Sequence, residues 1–198
     1  MYEPFIEDPA HLKELAGGQF VVLRAPLSLS DEFRRIQQGF RERLDGQPVS
    51  YPARAHVTLA GFAPGAGSGE LRDFVAQWAR AVAPLRVEAC KVSTFPAPFQ
   101  IVIIEIRKTA ALQRALSSLR AAVADPALLI DAGISAQDWT FHLSVAYCRA
   151  LSEASWREVE RMAERHAAPG ASADIDAVEL VSFGAGRERC AGRYILGA

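Results

Sequence analysis

Two segments of the chain repeat one pattern: His56-Val57-Thr58-Leu59-Ala60 and His142-Leu143-Ser144-Val145-Ala146. In each, a hydroxyl residue stands two places after a histidine, with apolar residues between and behind. The other two histidines act as controls, since Lys13 follows His11 at that spacing and Ala168 follows His166. Both motifs lie in runs that read as buried strands. Side chains alternate across a strand, so His56 and Thr58 share one face while Val57 and Leu59 take the other. His142 and Ser144 do the same, opposite Leu143 and Val145. If the two strands meet, two imidazoles and two hydroxyls line one cleft. Imidazole has an unperturbed pKa of about 6.5, so one ring can take a proton while the other gives one. Each hydroxyl can donate to a non-bridging phosphate oxygen. This is acid–base chemistry suited to a phosphodiester, where positioning and well-placed donors matter most.

Composition narrows the field. The 198 residues carry 22 Lys+Arg against 23 Asp+Glu, a net charge of −1. A binder of long nucleic acid is usually basic, so a small substrate or a nucleic-acid end is the better fit. Cys90, Cys148 and Cys190 are odd in number and widely spaced, with no CxxC pair. They suggest neither a zinc site nor a disulfide framework, and are expected to be buried free thiols in a reducing cytoplasm. No Asp/Glu cluster accompanies the motifs, so no metal or cofactor is expected. Residues 1–18 are acidic and broken by Pro4 and Pro9. Without a basic region ahead of an apolar core they do not read as a signal peptide, and they are taken as an N-terminal extension. No apolar run approaches the roughly 20 residues of a membrane span, so no membrane partner is expected.

Strands are expected over 19–25, 54–62, 85–92, 99–106, 140–148, 176–183 and 190–196. Four amphipathic helices lie between them. The first is expected to be capped by Ser30 and to carry Phe33, Ile36, Phe40 and Leu44. The second follows Ser68 and carries Leu71, Phe74, Val75, Trp78 and Val82. The third follows Thr109, carries Leu112, Leu116, Leu119 and Val123, and ends at Asp125-Pro126. The fourth follows Ser152 and carries Trp156, Val159 and Ala163. Pro96 and Pro98 mark a turn between Phe95 and Phe99, and Gly184-Ala185-Gly186 marks a closing hairpin. The pattern implies an α+β fold with internal duplication: two antiparallel sheets facing a central cleft, with helices on their outer faces. No exposed linker separates the halves, so residues 1–198 are expected to form a single bilobal domain, acting as a monomer.

At these residues the chain resembles the two-histidine phosphoesterase superfamily, which includes 2′-5′ RNA ligase-like proteins and cyclic nucleotide phosphodiesterases. The resemblance covers most of the chain. It includes Phe20-Val21-Val22-Leu23, Ile101-Val102-Ile103-Ile104 with its following helix, and a hairpin ending near Tyr194. It implies catalytic roles for His56 and His142 and phosphate-binding roles for Thr58 and Ser144. It also implies opening of a 2′,3′-cyclic phosphate, with a small cyclic nucleotide phosphate or an RNA terminus as partner. Two other activities stay open: 2′-5′ RNA end joining, and nucleotide or RNA-end binding with little turnover. The chain departs from the family where many RNA-processing relatives carry a basic residue after the second motif. Here Tyr147 stands in that region, on the face opposite His142 by simple alternation. Arg54 is expected as an exposed strand-end residue that, sharing a face with His56, could instead reach a phosphate, and Phe95 and Phe99 as core side chains that could instead stack on a base. Arg34, Arg35, Arg41 and Arg43 read as part of a solvated mixed-charge helix face, His11 as solvated, and His166 as a helix-terminal structural residue.

Overall fold

Apolar residues at alternate positions place Val21 and Leu23 of the first strand in the core, both fully buried, while Phe20, Val22 and Arg24 take the opposite face. The computed structural model describes residues 13, 15–64, 68–130, 132–184 and 187–198, without the Ser68 side chain. The N-terminal extension, His11, loop residues 65–67 and the turn at Ala185-Gly186 therefore lie largely or wholly outside the described residues.

The elements in chain order are β1 (Gln19–Arg24), α1 (Leu27–Arg43), β2 (His56–Phe62), α2 (Ser68–Arg80), β3 (Leu85–Phe95), β4 (Ile101–Ile106), α3 (Ala110–Ala121), β5 (His142–Tyr147), α4 (Glu153–Glu164), β6 (Ser172–Ile175), β7 (Ala177–Gly184) and β8 (Arg187–Ile195). Two four-stranded sheets result, in the orders β2-β1-β7-β8 and β5-β4-β3-β6. All the pairings are antiparallel. The α+β fold of two facing antiparallel sheets is thus as expected. Both motif strands are edge strands, and an isolated bridge between Ser50 and Tyr147 ties the segment before β2 to the end of β5.

The helices are shared between the sheets. Helix α1 joins β1 to β2 of the first sheet but packs on β5 and β6 of the second. Helix α3 joins β4 to β5 of the second sheet and touches β2 as well as β3, while α2 covers β7 and β8 and α4 covers β3 and β4. One large apolar cluster therefore runs through both halves. A smaller cluster of Val22, Val181 and Phe183, with Phe20 and Tyr147 against it, lies on the other face of the first sheet and floors the cleft.

Thr109 and Ser152 cap α3 and α4 as their types suggest, accepting from the Leu112 and Ser155 amides at 3.2 Å. Helix α1 begins earlier than its polar residues indicate. Pro26 is its N-cap, and Ser30 sits in the first turn with its hydroxyl donating to the Ala25 carbonyl at 2.8 Å. Pro26 offers no side-chain acceptor, so the first helical amides of α1 have no side-chain cap from it. Strand β3 runs on to Phe95, carried past Ala89 by a register shift. The short β6 is paired to β3 at its Leu85–Glu88 end. Of the three thiols only Cys148 is buried; Cys90 is partly covered and Cys190 is exposed on β8.

Gln37 is the buried polar residue that locks α1 to the motif strands. Its amide donates to the Pro52 and Val145 carbonyls, both at 3.0 Å. Replacing it with Met keeps the volume but strands two buried acceptors, which costs about 1–3 kcal/mol. Thermal unfolding of Gln37→Met should fall by roughly 3–10 °C, and an unchanged midpoint would show that the carbonyls find other donors.

Candidate active site

Each motif strand carries a bulge at the third residue after its histidine. In β2 the register skips Leu59, and in β5 it skips Val145. An extra residue reverses the alternation beyond it. On β2 the cleft face is therefore His56, Thr58 and then Gly61, opposite Arg24, Val22 and Phe20 of β1. On β5 it is His142, Ser144 and then Tyr147, opposite Glu105, Ile103 and Ile101 of β4. This corrects the placement of Tyr147 by simple alternation: it shares the face of His142, and its hydroxyl is hydrogen bonded to Ser144. Its pseudosymmetric counterpart is Gly61, where a Cβ would stand 2.9 Å from the Phe20 ring and 3.1 Å from Ile130.

Each imidazole has a backbone carbonyl two residues behind it. His142 Nδ1 lies 2.8 Å from the Thr140 carbonyl, two residues back. A carbonyl only accepts, so Nδ1 carries the proton and Nε2 is left for the cleft. The Arg54 carbonyl, again two residues back, acts on His56 in the same sense. The Phe95 ring meets His142 edge-on with centroids 4.8 Å apart and fixes its plane.

Their charged neighbours differ. Beside His56, Arg24 is clamped by two carboxylates: its Nη2 lies 2.8 Å from Glu179 and 2.5 Å from Glu188. Burial lowers the His56 pKa to about 3, with the charges of Arg24 and His142 acting in the same direction. Burial also lowers the His142 pKa, but there the Thr140 carbonyl and the Glu105 carboxylate oppose it. Glu105 is itself held by the Ser93 hydroxyl at 2.5 Å. A near-symmetric scaffold thus carries a cation beside one imidazole and an anion beside the other. His56 is the ring better suited to remain neutral, and His142 the one better suited to take up a proton.

Thr58 and His142, from different sheets, line one cavity of about 330 Å³ with Phe95, Phe99, Ile101, Ile134, Asp138, Trp139 and Thr140. His56 and His142 are close enough that the charge of His142 acts on His56. Arg54 is exposed and precedes β2, and its carbonyl acts on His56. His166 lies just beyond α4, beside a groove it shares with α1. Arg34 and Arg35 pair with Asp31 and Glu32 on the outer surface, and Arg41 stacks on Tyr51. Among the described residues, no group of three or more His, Cys, Asp or Glu is placed to hold a metal ion.

A family model for the 2′-5′ RNA ligase superfamily matches residues 25–187. The chain belongs to this superfamily. Its members are two-histidine phosphoesterases, and both motifs fall within the matched span. No curated protein sequence matches the chain. Solved structures share its fold at low identity. TT0787 of Thermus thermophilus is 15% identical with a TM-score of 0.68, covering 91% of this chain and 98% of that one. E. coli LigT in apo form is 13% identical with a TM-score of 0.62, covering 91% and 97%. Kluyveromyces marxianus Usb1 is 10% identical with a TM-score of 0.55, covering 91% and 98%. No described helix is long and apolar enough to cross a membrane.

Sequence reading missed Arg24, Glu105, Glu179 and Glu188 at this site. Glu105 left a visible signal, as the lone charge within the apolar run Ile101–Ile106. The other three depend on register between strands distant in sequence. The environment of His56 can be tested directly by NMR titration of its ring proton. No midpoint should appear near pH 6.5, because the ring stays neutral until about pH 3. Arg24→Gln removes the cation and should raise the midpoint. A wild-type midpoint near 6.5 would mean that the ring is solvated.

Proposed function

We propose that this member of the superfamily is a metal-independent cyclic phosphodiesterase that opens a 2′,3′-cyclic phosphate on a small nucleotide. The observation that carries this reading is the pairing of two imidazoles, His142 fixed through Nδ1, with two hydroxyls on the facing motif strands and unlike charges behind the rings. In this mechanism His56 Nε2 takes a proton from water as the water oxygen bonds to phosphorus. His142, protonated at Nε2, gives its proton to the ribose oxygen as the bond from that oxygen to phosphorus breaks. One water is consumed, a phosphomonoester is left, and the next turnover begins once the proton has passed back from His56 to His142 through solvent. Thr58 and Ser144 donate to the non-bridging oxygens, where charge accumulates. Tyr147, bonded to Ser144, keeps that hydroxyl turned toward the phosphate.

Nucleotide-sized ligands are supported by the structural neighbours, since LigT has been solved in complexes with 3′-AMP, ATP and NADP+. The local charge also favours a small substrate over RNA. Arg24 is shared between Glu179 and Glu188, Glu105 lies 3.9 Å from Lys91, and a tyrosine stands after the second motif, so the charges described around the rings are balanced rather than basic and do not favour a polyanionic backbone.

His56→Ala and His142→Ala should each lower hydrolysis of nucleoside 2′,3′-cyclic phosphates by about 10²–10⁴-fold, with the fold intact by circular dichroism and with wild-type activity unaffected by EDTA. Near-wild-type turnover by both variants would overturn the reading.

The pH profile follows from the two rings. The base must be neutral and the acid protonated. His56 meets its condition above about pH 3, while His142 loses its proton below the usual value for histidine. The kcat/KM should therefore peak on the acid side of about pH 6.5 and fall toward neutrality. Glu105→Gln removes an influence that raises the His142 pKa, so the falling limb should move to lower pH. A limb that stays in place would separate Glu105 from the acid.

A further inference from the structure

The cavity beside His142 is lined by more than the reacting groups. Thr58 and His142 are two of its nine lining residues. The other walls are largely apolar: Phe95 at the end of β3, Phe99 from the turn after it, and Ile134 and Trp139 from the segment leading into β5. Phe99 is 60% exposed and Ile134 44%, so two large apolar side chains are left out of the core where they border this space. Apolar walls with a few fixed polar groups are what small-molecule sites are made of, and about 330 Å³ holds a flat heteroaromatic ring with its sugar.

One charged group lines the same cavity. Asp138 is set by a short reciprocal loop: the Ser135 hydroxyl accepts from the Asp138 amide at 3.1 Å and donates to its Oδ2 at 2.6 Å. That holds the carboxylate in one orientation, with Oδ1 uncommitted among the described residues. A carboxylate accepts and does not donate. It therefore favours a ring edge that carries an exocyclic amino donor, as guanine, adenine and cytosine do, over uracil, whose single N3–H donor stands between two carbonyl oxygens that repel the carboxylate.

We propose that this cavity is the base subsite of the enzyme, and that Asp138 makes it select amino-bearing nucleobases over uracil. The proposal rests on the cyclic phosphodiesterase reading, because it takes the phosphate to lie at Thr58 and His142. Asp138 is a specificity residue that touches only the base, and Phe99 provides the apolar face on which the base packs.

The test measures kcat/KM for the 2′,3′-cyclic phosphates of adenosine, guanosine, cytidine and uridine, with glycerol 1,2-cyclic phosphate as a base-free control. The wild-type enzyme should disfavour the uridine compound by about 10–100-fold. Asp138→Asn, whose amide can donate as well as accept, should compress that ratio to about threefold or less. Phe99→Ala should lower kcat/KM for all four nucleotides through KM, by roughly tenfold, and leave the glycerol compound unchanged. Equal rates on all four bases, or a ratio that survives Asp138→Asn, would overturn the proposal while leaving the phosphodiesterase reading in place. If none of the five compounds is hydrolysed, that reading falls instead. Calorimetry with adenosine and uridine 3′-monophosphates then decides the subsite: tighter adenosine binding that Asp138→Asn abolishes supports it, and equal binding removes it.

Discussion

Val145 is skipped in the β4–β5 ladder, and its carbonyl is taken by the buried amide of Gln37. Much of the molecule depends on that contact. The bulge is what turns Tyr147 back to the cleft face, beside Ser144. The same glutamine holds Pro52, a few residues before His56, so one side chain on α1 sets the approach of both motif strands. Backbone bonds between Ser50 and Tyr147, at 3.0 and 2.8 Å, close the arrangement. A bulge in an edge strand leaves a polar group off the ladder, and inside a protein that group must be paired. Here the pairing also brings the two sheets together.

The two halves share a backbone plan but differ in what fills it. Both histidines have a carbonyl two residues behind them, and both strands bulge at the same place. The differences are chemical. Arg24 stands where the other half has Glu105, and Gly61 where it has Tyr147. The empty position at Gly61 lets the Phe20 ring close against β2 and meet Phe183 at 5.3 Å, so the first half supplies an apolar floor. The second half supplies a hydroxyl network and an aromatic brace on its histidine. Duplication gives the paired geometry, and divergence at a few cleft positions gives each ring its own electrostatic setting.

How much of this was legible in the sequence depended on distance along the chain. The pairs His56/Thr58 and His142/Ser144 need only alternation over three residues, and both occupy the cleft face. Extending the same rule to Tyr147 failed because it crosses a bulge, and a bulge has no fixed residue signature. Thr109 and Ser152 announced their helices, whereas α1 begins at Pro26 with Leu27 exposed, so its start lacked a polar marker. Strand β6 is four residues long with only Ile175 buried, too little to show a period. The clamp on Arg24 joins residues more than 150 positions apart, and no local pattern reports such a contact.

The β7–β8 hairpin also ties completion of the first sheet to strands made after those of the second. It completes the first sheet by adding to β1, although it is made after every strand of the second. During synthesis β3 to β6 have all their sheet partners before β7 emerges, while β1 and β2 wait as a bare two-stranded ribbon. Arg24 likewise has neither carboxylate until Glu179 and Glu188 arrive. Long-range pairing of this kind is slow, because the intervening chain must be closed before the contacts form. The sheet that carries His56 is thus complete only once β7 and β8 have paired onto β1, and the cleft needs that sheet.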